Sequence, residues 1–343
     1  MKIKTQLKNI ASFSKGEQIK GDDLLENGLY DYLNGGICPS GKWDSYNTPA
    51  NTVTISEGGN SCGYVNFMKQ PFWCGAHCYY LFNTLSNTKY LYYVLKSQQD
   101  RLMKIRSGAC MPNIKKSDLG DFEIVYETDE LEQKRIVEIL SKCEKIIVSR
   151  KQQLQQLDEL VKARFVELFG DPIRNTQNRP TTEFINVVKM QRGFDLPVQD
   201  RQQDGNVPVF GSNGALDRHN VAKVCGGGVI TGRSGTIGKV YYTEGDYWPL
   251  NTSLFSVDTH GNNIIYLAYL IQMYDLSRFT EGTGVPTLNR NKFHNKLIID
   301  VPLNEQILFA DFVKEVDKSK FVVQKALDEA QTLFDSLMQE YFG

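Results

Sequence analysis

Two segments of the chain have the periodicity of long helices. The segments 127–170 and 301–343 each contain about forty consecutive residues without glycine or proline and are rich in Leu, Gln, Lys and Glu, which favour helix. Apolar residues recur in both at alternating steps of four and three, the period of a coiled coil. This apolar seam contains Ile136, Leu140, Cys143, Ile147, Leu154, Leu157, Val161 and Leu168 in the first segment and Phe309, Val313, Val316, Val323, Leu327, Ala330, Phe334, Leu337 and Tyr341 in the second.

The pattern predicts two helical rods, each on the order of 60 Å long at about 1.5 Å per residue. Arg150 and Arg164 interrupt the seam of the first helix, and Lys320 interrupts that of the second. Gly170, followed by Asp171-Pro172, is a suitable stop for the first helix, because glycine accepts a left-handed cap and proline cannot continue a helix. An alternative interpretation is that each helix packs only on its own neighbouring domain.

The other two segments, residues 1–126 and 171–300, have a shorter period. Runs of Val, Ile, Tyr and Phe are separated by Gly and Asn, as expected for short strands and turns. One helix is predicted in each segment, near Tyr90–Met103 and near Ile264–Leu276. These two segments are therefore predicted to be mixed α/β domains.

The second half of the chain repeats the first. In order along the chain, Lys15-Gly16 matches Arg192-Gly193, Val53-Thr54-Ile55 matches Val229-Ile230-Thr231, Trp73 matches Trp248, Tyr90-Leu91 matches Tyr266-Leu267, the Gly108–Ile114 segment matches Gly282–Leu288, and Glu132-Gln133 matches Glu305-Gln306. An internal duplication explains matches that stay in order better than chance similarity between glycine-rich segments does. It predicts the domain order 1–126, 127–170, 171–300 and 301–343, in which each globular domain precedes one helix.

Composition and net charge add only a few constraints to this domain order. A length of 343 residues with 41% apolar residues suits two hydrophobic cores, and a net charge of −1 argues against a strongly basic nucleic-acid binder that acts alone. Seven cysteines, an odd number without closely spaced pairs of metal-ligand type, favour reduced thiols in a cytoplasmic protein. No segment has the pattern of a signal peptide or a membrane span, so we expect no membrane association.

The order of domains and helices resembles the specificity subunits of type I restriction-modification systems. The resemblance rests on the helix openings at 132–137 and 301–306, the ending Leu168-Phe169-Gly170-Asp171-Pro172, and the Gly-x-x-x-Pro segment ahead of each helix. It implies an α+β fold with two duplicated target-recognition domains in a pseudo-twofold arrangement, separated by two long antiparallel coiled-coil helices. Each domain would then read one part of a split, asymmetric DNA target, and the helices would fix the gap.

The resemblance also implies partners. Two methyltransferase subunits would dock on the chain and modify adenine with S-adenosylmethionine, and restriction subunits that use ATP and Mg²⁺ are further candidate partners. No cofactor or metal is expected in this chain, which is predicted to be non-catalytic. The sequence lacks the Asn-Pro pair that an adenine methyltransferase motif needs. The segment Gly232–Lys239 has the wrong spacing for a phosphate-binding loop, and the zinc ligands that Cys74, His77 and Cys78 would offer are not repeated in the second half.

Loop residues with hydrogen-bonding side chains are the candidates for DNA contact, because such groups read base edges and bind phosphates. In the first domain they are Lys15, Asn34, Lys42, Trp43, Asn60, Ser61, Lys69, Asn113, Lys115 and Lys116. In the second they are Arg192, Ser212, Asn213, Arg218, Arg233, Ser234, Thr236, Arg290 and Lys292. The two sets differ chemically, which predicts two different half-sites.

Other interpretations remain open at this point. Any one of these basic residues could be a solvated surface charge, and Trp43 could be packed beneath a loop instead of stacked on DNA. Trp73 and Trp248 are interpreted as core residues. Two further functions compete with DNA recognition: a coiled-coil scaffold that binds only proteins, and an enzyme with its site between duplicated lobes, although no motif pairs the four histidines with a nucleophile.

Overall fold

The computed structural model describes residues 1–108, 112–282 and 286–343. The centres of the repeated Gly108–Ile114 and Gly282–Leu288 segments therefore lie outside the described residues. The chain forms two compact units, one made of Met1–Arg150 with Ala326–Gly343 and the other of Lys151–Lys325. Each unit consequently contains one globular domain and part of each long helix. Among the described residues, none of the helices is long and apolar enough to cross a membrane.

The first unit contains mixed β-structure and several helices. Its strands are β1 (Lys2–Gln6), β2 (Ser12–Lys15), β3 (Tyr30–Leu33), β4 (Gly41–Trp43), β5 (Thr52–Ser56), β6 (Val65–Met68), β7 (Phe72–Cys74), β8 (Cys78–Phe82) and β9 (Glu123–Glu127). Its helices are α1 (Thr88–Ser97), α2 (Gln99–Lys104), α3 (Lys116–Gly120) and the first part of α4 (Glu130–Phe169). The sheets have the strand orders β2-β8-β5-β6, β4-β3-β7 and β1-β9.

The second unit has the same plan. Its strands are β10 (Thr181–Glu183), β11 (Lys189–Arg192), β12 (Val207–Gly211), β13 (Gly214–His219), β14 (Gly228–Gly232), β15 (Val240–Thr243), β16 (Trp248–Pro249), β17 (Ser253–Asp258), β18 (Thr280–Glu281), β19 (Thr287–Leu288) and β20 (Leu297–Ile299). Its helices are α5 (Phe184–Val187), α6 (Ile264–Tyr274) and the first part of α7 (Leu303–Phe342). The strand orders β11-β17-β14-β15, β13-β12-β16 and β10-β20 repeat those of the first unit, with β18-β19 in addition. The predicted duplication and the mixed α/β character are confirmed.

The repeated glutamine at each long-helix opening has a structural role. Gln133 is buried at the start of α4, where its amide donates to the Glu127 carbonyl oxygen over 2.6 Å and accepts from the Asn87 N–H over 3.2 Å. Gln306 does the same at the start of α7, donating to the Val301 carbonyl oxygen over 2.7 Å and accepting from the Asn263 N–H over 2.9 Å. Asn87 and Asn263 are the N-caps of α1 and α6. Each glutamine therefore fixes its long helix to the equivalent helix of its own domain.

The ends of the long helices are built into the cores of the two units. In the first unit, Ile136 and Leu140 of α4 share a core with Tyr90 and Leu91 of α1 and with Phe342 of α7. In the second unit, an equivalent core contains Val161, Phe165 and Phe169 of α4, Tyr266 of α6 and Phe309 of α7. The alternative in which each helix packs only on its own neighbouring domain is therefore wrong, because each core holds one domain and parts of both helices.

Within the second unit the two helices run antiparallel. Phe169 and Phe165 meet Phe309 edge-on, with ring centroids 5.6 Å and 5.5 Å apart, and Lys320 forms an ion pair of 2.7 Å with Asp158. Residue numbers thus fall along α4 as they rise along α7. Lys320, one of the predicted interruptions of the seam, is neutralised by this pair.

The seam is most deeply buried toward the helix ends. Ile136, Leu140, Val161, Phe309 and Val313 are at most 2% exposed. Cys143, Ile147, Val316, Val323 and Leu327 are also buried, between 6% and 9% exposed. The remaining members are half-buried, namely Leu154, Leu157, Leu168, Ala330, Phe334, Leu337 and Tyr341. The predicted stop of α4 is confirmed, since Gly170 has a φ of +75° and donates its N–H to the Val166 carbonyl oxygen.

The repeated Lys15-Gly16 and Arg192-Gly193 pairs mark a close approach between backbones. A Cβ at Gly16 would lie 1.8 Å from the Cys74 carbonyl oxygen, and one at Gly193 would lie 2.2 Å from the Leu250 carbonyl oxygen. Only glycine fits at these positions. The basic residue ahead of each glycine is therefore held beside the same part of the fold in both domains.

Candidate nucleic-acid interface

Polar loop residues of the first unit meet where several strands end. Glu57 directly follows β5, and its backbone N–H donates to the His77 carbonyl oxygen over 2.9 Å while its carbonyl oxygen accepts from the Ile114 N–H over 2.8 Å. The Glu57 carboxylate pairs with Lys15 Nζ and lies 3.3 Å from His77 Nδ1. We call Lys15, Asn34, Glu57, Ser61 and His77 the strand-end cluster of the first unit.

Asn34 and Ser61 hold this cluster together. The Asn34 amide accepts from the His77 N–H over 3.1 Å and donates to Gln18 Oε1 over 3.1 Å. The Ser61 hydroxyl donates to the Gly35 carbonyl oxygen over 2.6 Å. Both side chains were predicted DNA contacts, and both are engaged in bonds that position the loops.

The second unit has an equivalent group. Arg233 directly follows β14, donates its N–H to the Thr252 carbonyl oxygen over 2.8 Å, and accepts from the Leu288 N–H over 2.8 Å. Gly232 brings two further loops close, because a Cβ there would lie 1.7 Å from the Thr236 carbonyl oxygen and 3.1 Å from that of Ser212. The strand-end cluster of the second unit consists of Arg192, Ser212, Arg233, Thr236 and Thr252. Ser234, another predicted contact, also lies here and donates its N–H to the Thr252 carbonyl oxygen over 3.2 Å.

The two clusters differ in charge at matching positions. Lys15 and Arg192 hold equivalent backbone positions. Lys15 lies opposite Tyr79 in the β2–β8 register, Arg192 lies opposite Leu254 in the β11–β17 register, and Tyr79 and Leu254 in turn lie opposite equivalent residues of β5 and β14. The first cluster therefore contains a lysine, a carboxylate and a histidine. The second contains two arginines, and no acidic side chain among the described residues forms an ion pair with either of them.

Sequence reasoning missed Glu57 and His77. The signal was present, because Val53 and Val229 match at an offset of 176 and the same offset places Glu57 opposite Arg233. An acidic residue was not sought in a protein expected to bind DNA. Its role becomes visible only through its contacts with Lys15 and His77.

Two further pairs of basic residues are shared by the domains. Lys42 of β4 faces Asp31 of β3, and Arg218 of β13 faces Pro208 of β12, so the two cations hold matching positions on matching strands. Lys116 begins α3, and Arg290 begins a short 3₁₀ turn just after β19, again at matching positions after the repeated segment. All four side chains are exposed.

The other predicted contacts lie apart from the clusters or are only partly available. Trp43 is half-buried and packs against Trp73 with ring centroids 6.4 Å apart, as the packed interpretation expects. Lys292 forms an ion pair of 2.6 Å with Glu281. Exposed residues at loops or at the start of a helix complete the set, namely Asn60, Lys69, Asn113, Lys115 and Asn213, the last of which accepts from Lys239 Nζ.

Of the two tryptophans that were predicted to be core residues, Trp248 is buried. Trp248 is 7% exposed and lies in a small core with Leu196 and Val209. Trp73 is half-buried, and its indole N–H donates to the Glu17 carbonyl oxygen over 2.8 Å. The Trp73 side chain is therefore only partly buried.

The alternative chemistries receive no support from the arrangement of the described residues. Gly232–Lys239 joins the antiparallel strands β14 and β15, whereas a phosphate-binding loop joins a strand to a helix. Cys74 and Cys78 are buried in a small apolar cluster with Leu33 and Phe72, while the exposed His77 contacts Glu57. No group of three or more potential metal ligands occurs in the described part of the chain.

Comparison with known proteins identifies the family. The model of the type I restriction modification DNA specificity domain matches residues 3–159 and again residues 175–330. The chain belongs to this family. Specificity subunits are non-catalytic components of type I restriction-modification complexes. The two matches coincide with the two repeats.

Individual relatives agree with this identification. This specificity chain is 36% identical over 143 residues to a type I specificity subunit of Mycoplasma genitalium, a match that covers 40% of the chain and 37% of that protein. It is 29% identical over 222 residues to one of Mycoplasma pneumoniae, covering 61% of the chain and 59% of that protein. The matches thus span less than two thirds of these relatives. The crystal structure of a type I S subunit from M. genitalium shares the fold, with a TM-score of 0.72 at 22% identity over 100% of this chain and 96% of that one.

Proposed function

We propose that this specificity chain reads an asymmetric, bipartite DNA target, with one half-site for each duplicated domain. The observation that carries the proposal is that the two domains share their sheet topology and their exposed basic positions but differ in the strand-end clusters. Two domains with the same framework but different side chains at the strand ends favour two different half-sites.

The shared basic positions suit the phosphate backbone. Lys42 and Arg218, like Lys116 and Arg290, are exposed and occupy matching places in the two domains. Phosphate contacts fix the register and orientation of a protein on DNA without reading sequence, so the same positions serve in both half-sites. Because the net charge of the chain is only −1, partner subunits would supply further positive charge towards the DNA.

Exposed apolar residues on the long helices support binding of two copies of one partner. Val148 on α4 and Phe321 on α7 are 50% and 72% exposed, and Leu160 and Leu333 are 48% and 53% exposed. Each pair is separated by 173 residues, the offset of the repeated helix openings. Large exposed side chains at matching positions are expected where equivalent surfaces bind equivalent partners.

We infer that these partners are two methyltransferase subunits, which would use S-adenosylmethionine to methylate adenine. Restriction subunits would add ATP-dependent and Mg²⁺-dependent cleavage. The chain itself would bind double-stranded DNA in the cytoplasm and supply no catalytic group. The gap between half-sites would follow from the antiparallel helices.

The test is to express the chain with a methyltransferase subunit of the same system and map N6-methyladenine by single-molecule sequencing. We expect one split motif with unlike halves. A stable complex that methylates no defined motif would contradict the proposal and favour the competing function, a coiled-coil scaffold that binds only proteins.

A further inference from the structure

Glu57 and Arg233 hold the same backbone position in the two domains and carry opposite charges. We propose that these residues each determine one base of their half-site: Arg233 binds the acceptor edge of a guanine, and Glu57 accepts from an exocyclic amino group, as on cytosine or adenine. This inference rests on the proposed function and deepens it.

The equivalence of the two positions follows from the backbone. Both residues follow the second-to-last strand in the matching orders β2-β8-β5-β6 and β11-β17-β14-β15. Both donate a backbone N–H to the residue just ahead of the matching strand, and both accept from the last residue of the repeated segment, Ile114 or Leu288, over distances of 2.8 to 2.9 Å. The same backbone arrangement therefore carries a glutamate in the first domain and an arginine in the second.

The difference between the domains is informative because three other positions carry a basic residue in both domains. Basic residues occur at both members of three matching pairs: Lys15 with Arg192, Lys42 with Arg218, and Lys116 with Arg290. A contact that every half-site needs is expected to be the same in both domains, whereas a contact that distinguishes half-sites is expected to differ. The pair that reverses its charge at a strand end is therefore the best candidate for base reading.

Arg233 is prepared for a bidentate contact. Its backbone is held at both ends, its side chain is half-buried, and no described residue accepts a hydrogen bond from its guanidinium. The neighbouring Ser212 and Thr252 carry hydroxyl groups and no competing charge. A planar guanidinium matches guanine O6 and N7, which is the commonest specific contact of arginine with DNA.

Glu57 is prepared for the opposite role. Its side chain is only 13% exposed, while those of Lys15 and His77 are 43% and 64% exposed. Lys15 and His77 orient the carboxylate, and each oxygen keeps acceptor capacity beyond its one protein contact. Lys15 also offsets the repulsion between the carboxylate and nearby phosphates. A carboxylate accepts from a base amino group and repels the acceptor edge of guanine.

The experiment is selection from a randomised duplex library by the complex of the chain with its methyltransferase subunit, read by sequencing. Arg233→Gln is compared with Arg218→Gln, since both remove an arginine from the same unit and only Arg218 has a basic counterpart. Arg233→Lys keeps the positive charge but removes the planar guanidinium, which can form two hydrogen bonds to one base. Glu57→Gln is compared with Lys42→Gln in the first unit, and thermal unfolding verifies that each variant folds.

We expect Arg233→Gln and Arg233→Lys to lower discrimination for guanine at one position of one half-site by about 10- to 100-fold, the range of a good bidentate contact. Glu57→Gln should admit bases with acceptor groups at one position of the other half-site. Arg218→Gln and Lys42→Gln should weaken binding to all sequences and leave the motif unchanged.

A wild-type motif that stays unchanged in folded Arg233→Gln, Arg233→Lys and Glu57→Gln complexes would overturn this inference and leave the proposed function standing. A wild-type complex that selects no motif would overturn the proposed function, and the inference with it.

Discussion

Replacing Gln306 by leucine removes the side-chain hydrogen bonds that connect the start of α7 to the domain that it follows. The Gln306 side chain is 1% exposed and makes hydrogen bonds of 2.7 Å to the Val301 carbonyl oxygen, 2.7 Å to Asn262 Oδ1 and 2.9 Å from the Asn263 N–H. Leucine has a similar volume but leaves the two backbone groups without these partners. Each unpaired buried group costs about 1–3 kcal/mol, so the second unit should lose roughly 2–6 kcal/mol of unfolding free energy.

Differential scanning calorimetry of the whole chain measures this loss. For a unit of this size, 1 kcal/mol corresponds to about 2–4 °C, and the transition of the second unit should therefore fall by roughly 4–24 °C. Gln155→Leu is the matched control, because Gln155 is exposed on α4 and its side chain donates, within the described part of the chain, to Glu159 four residues on. Such a pair is worth about 0.2–0.5 kcal/mol.

The equivalent change in the first unit is Gln133→Leu. It removes the bonds to the Glu127 carbonyl oxygen and from the Asn87 N–H, and it should lower the transition of that unit instead. Melting temperatures of Gln306→Leu and Gln155→Leu that agree within about 1 °C would refute the reasoning that a buried glutamine fixes each helix.

Three further predictions concern the helices, pH and salt. Leu327→Asp should destabilise the first unit by about 3 kcal/mol in urea unfolding because it buries a charge in the seam, whereas Leu333→Asp, at an exposed site, should change it little. Burial, with a smaller contribution from Arg290, lowers the pKa of His294, whose Nε2 accepts from the Met190 N–H. Neutral His294 stabilises the fold fully above pH 6.5, and this stabilisation is lost as the pH falls towards the lower pKa of the folded state. The melting temperature of the wild type should therefore drop over that pH range, and that of His294→Gln should not. Lys116→Gln and Arg290→Gln should each reduce the salt dependence of DNA affinity by about one phosphate contact without altering the motif.

Local sequence rules were sufficient for the long helices. Heptad spacing indicated the seam, and Gly170 with Pro172 indicated the end of α4, which closes at Phe169. Both features depend on residues close together in the chain. The repeated Glu-Gln motif was also recognised, but not its purpose, because Gln133 and Gln306 each accept from the N-cap residue of α1 or α6, which lies more than forty residues earlier.

The candidate site was harder to predict for a physical reason. Asn34 and Ser61 have the side chains of base-reading residues, yet their bonds to His77 and Gly35 across the fold use them as loop supports. Glu57 has the wrong charge for DNA when taken alone, and only its pairing with Lys15 makes it suitable. Three-dimensional partners thus decide which polar loop residues remain available to a ligand.

The central claim is that each duplicated domain reads its own half-site. It is tested most directly by replacing residues 171–300 with a second copy of residues 1–126, expressing the chain with the methyltransferase subunit and mapping N6-methyladenine. The account predicts a symmetric motif in which the first half-site occurs twice as an inverted repeat. A stable complex that keeps the wild-type asymmetric motif, or that methylates no defined sequence while the wild type does, would contradict it.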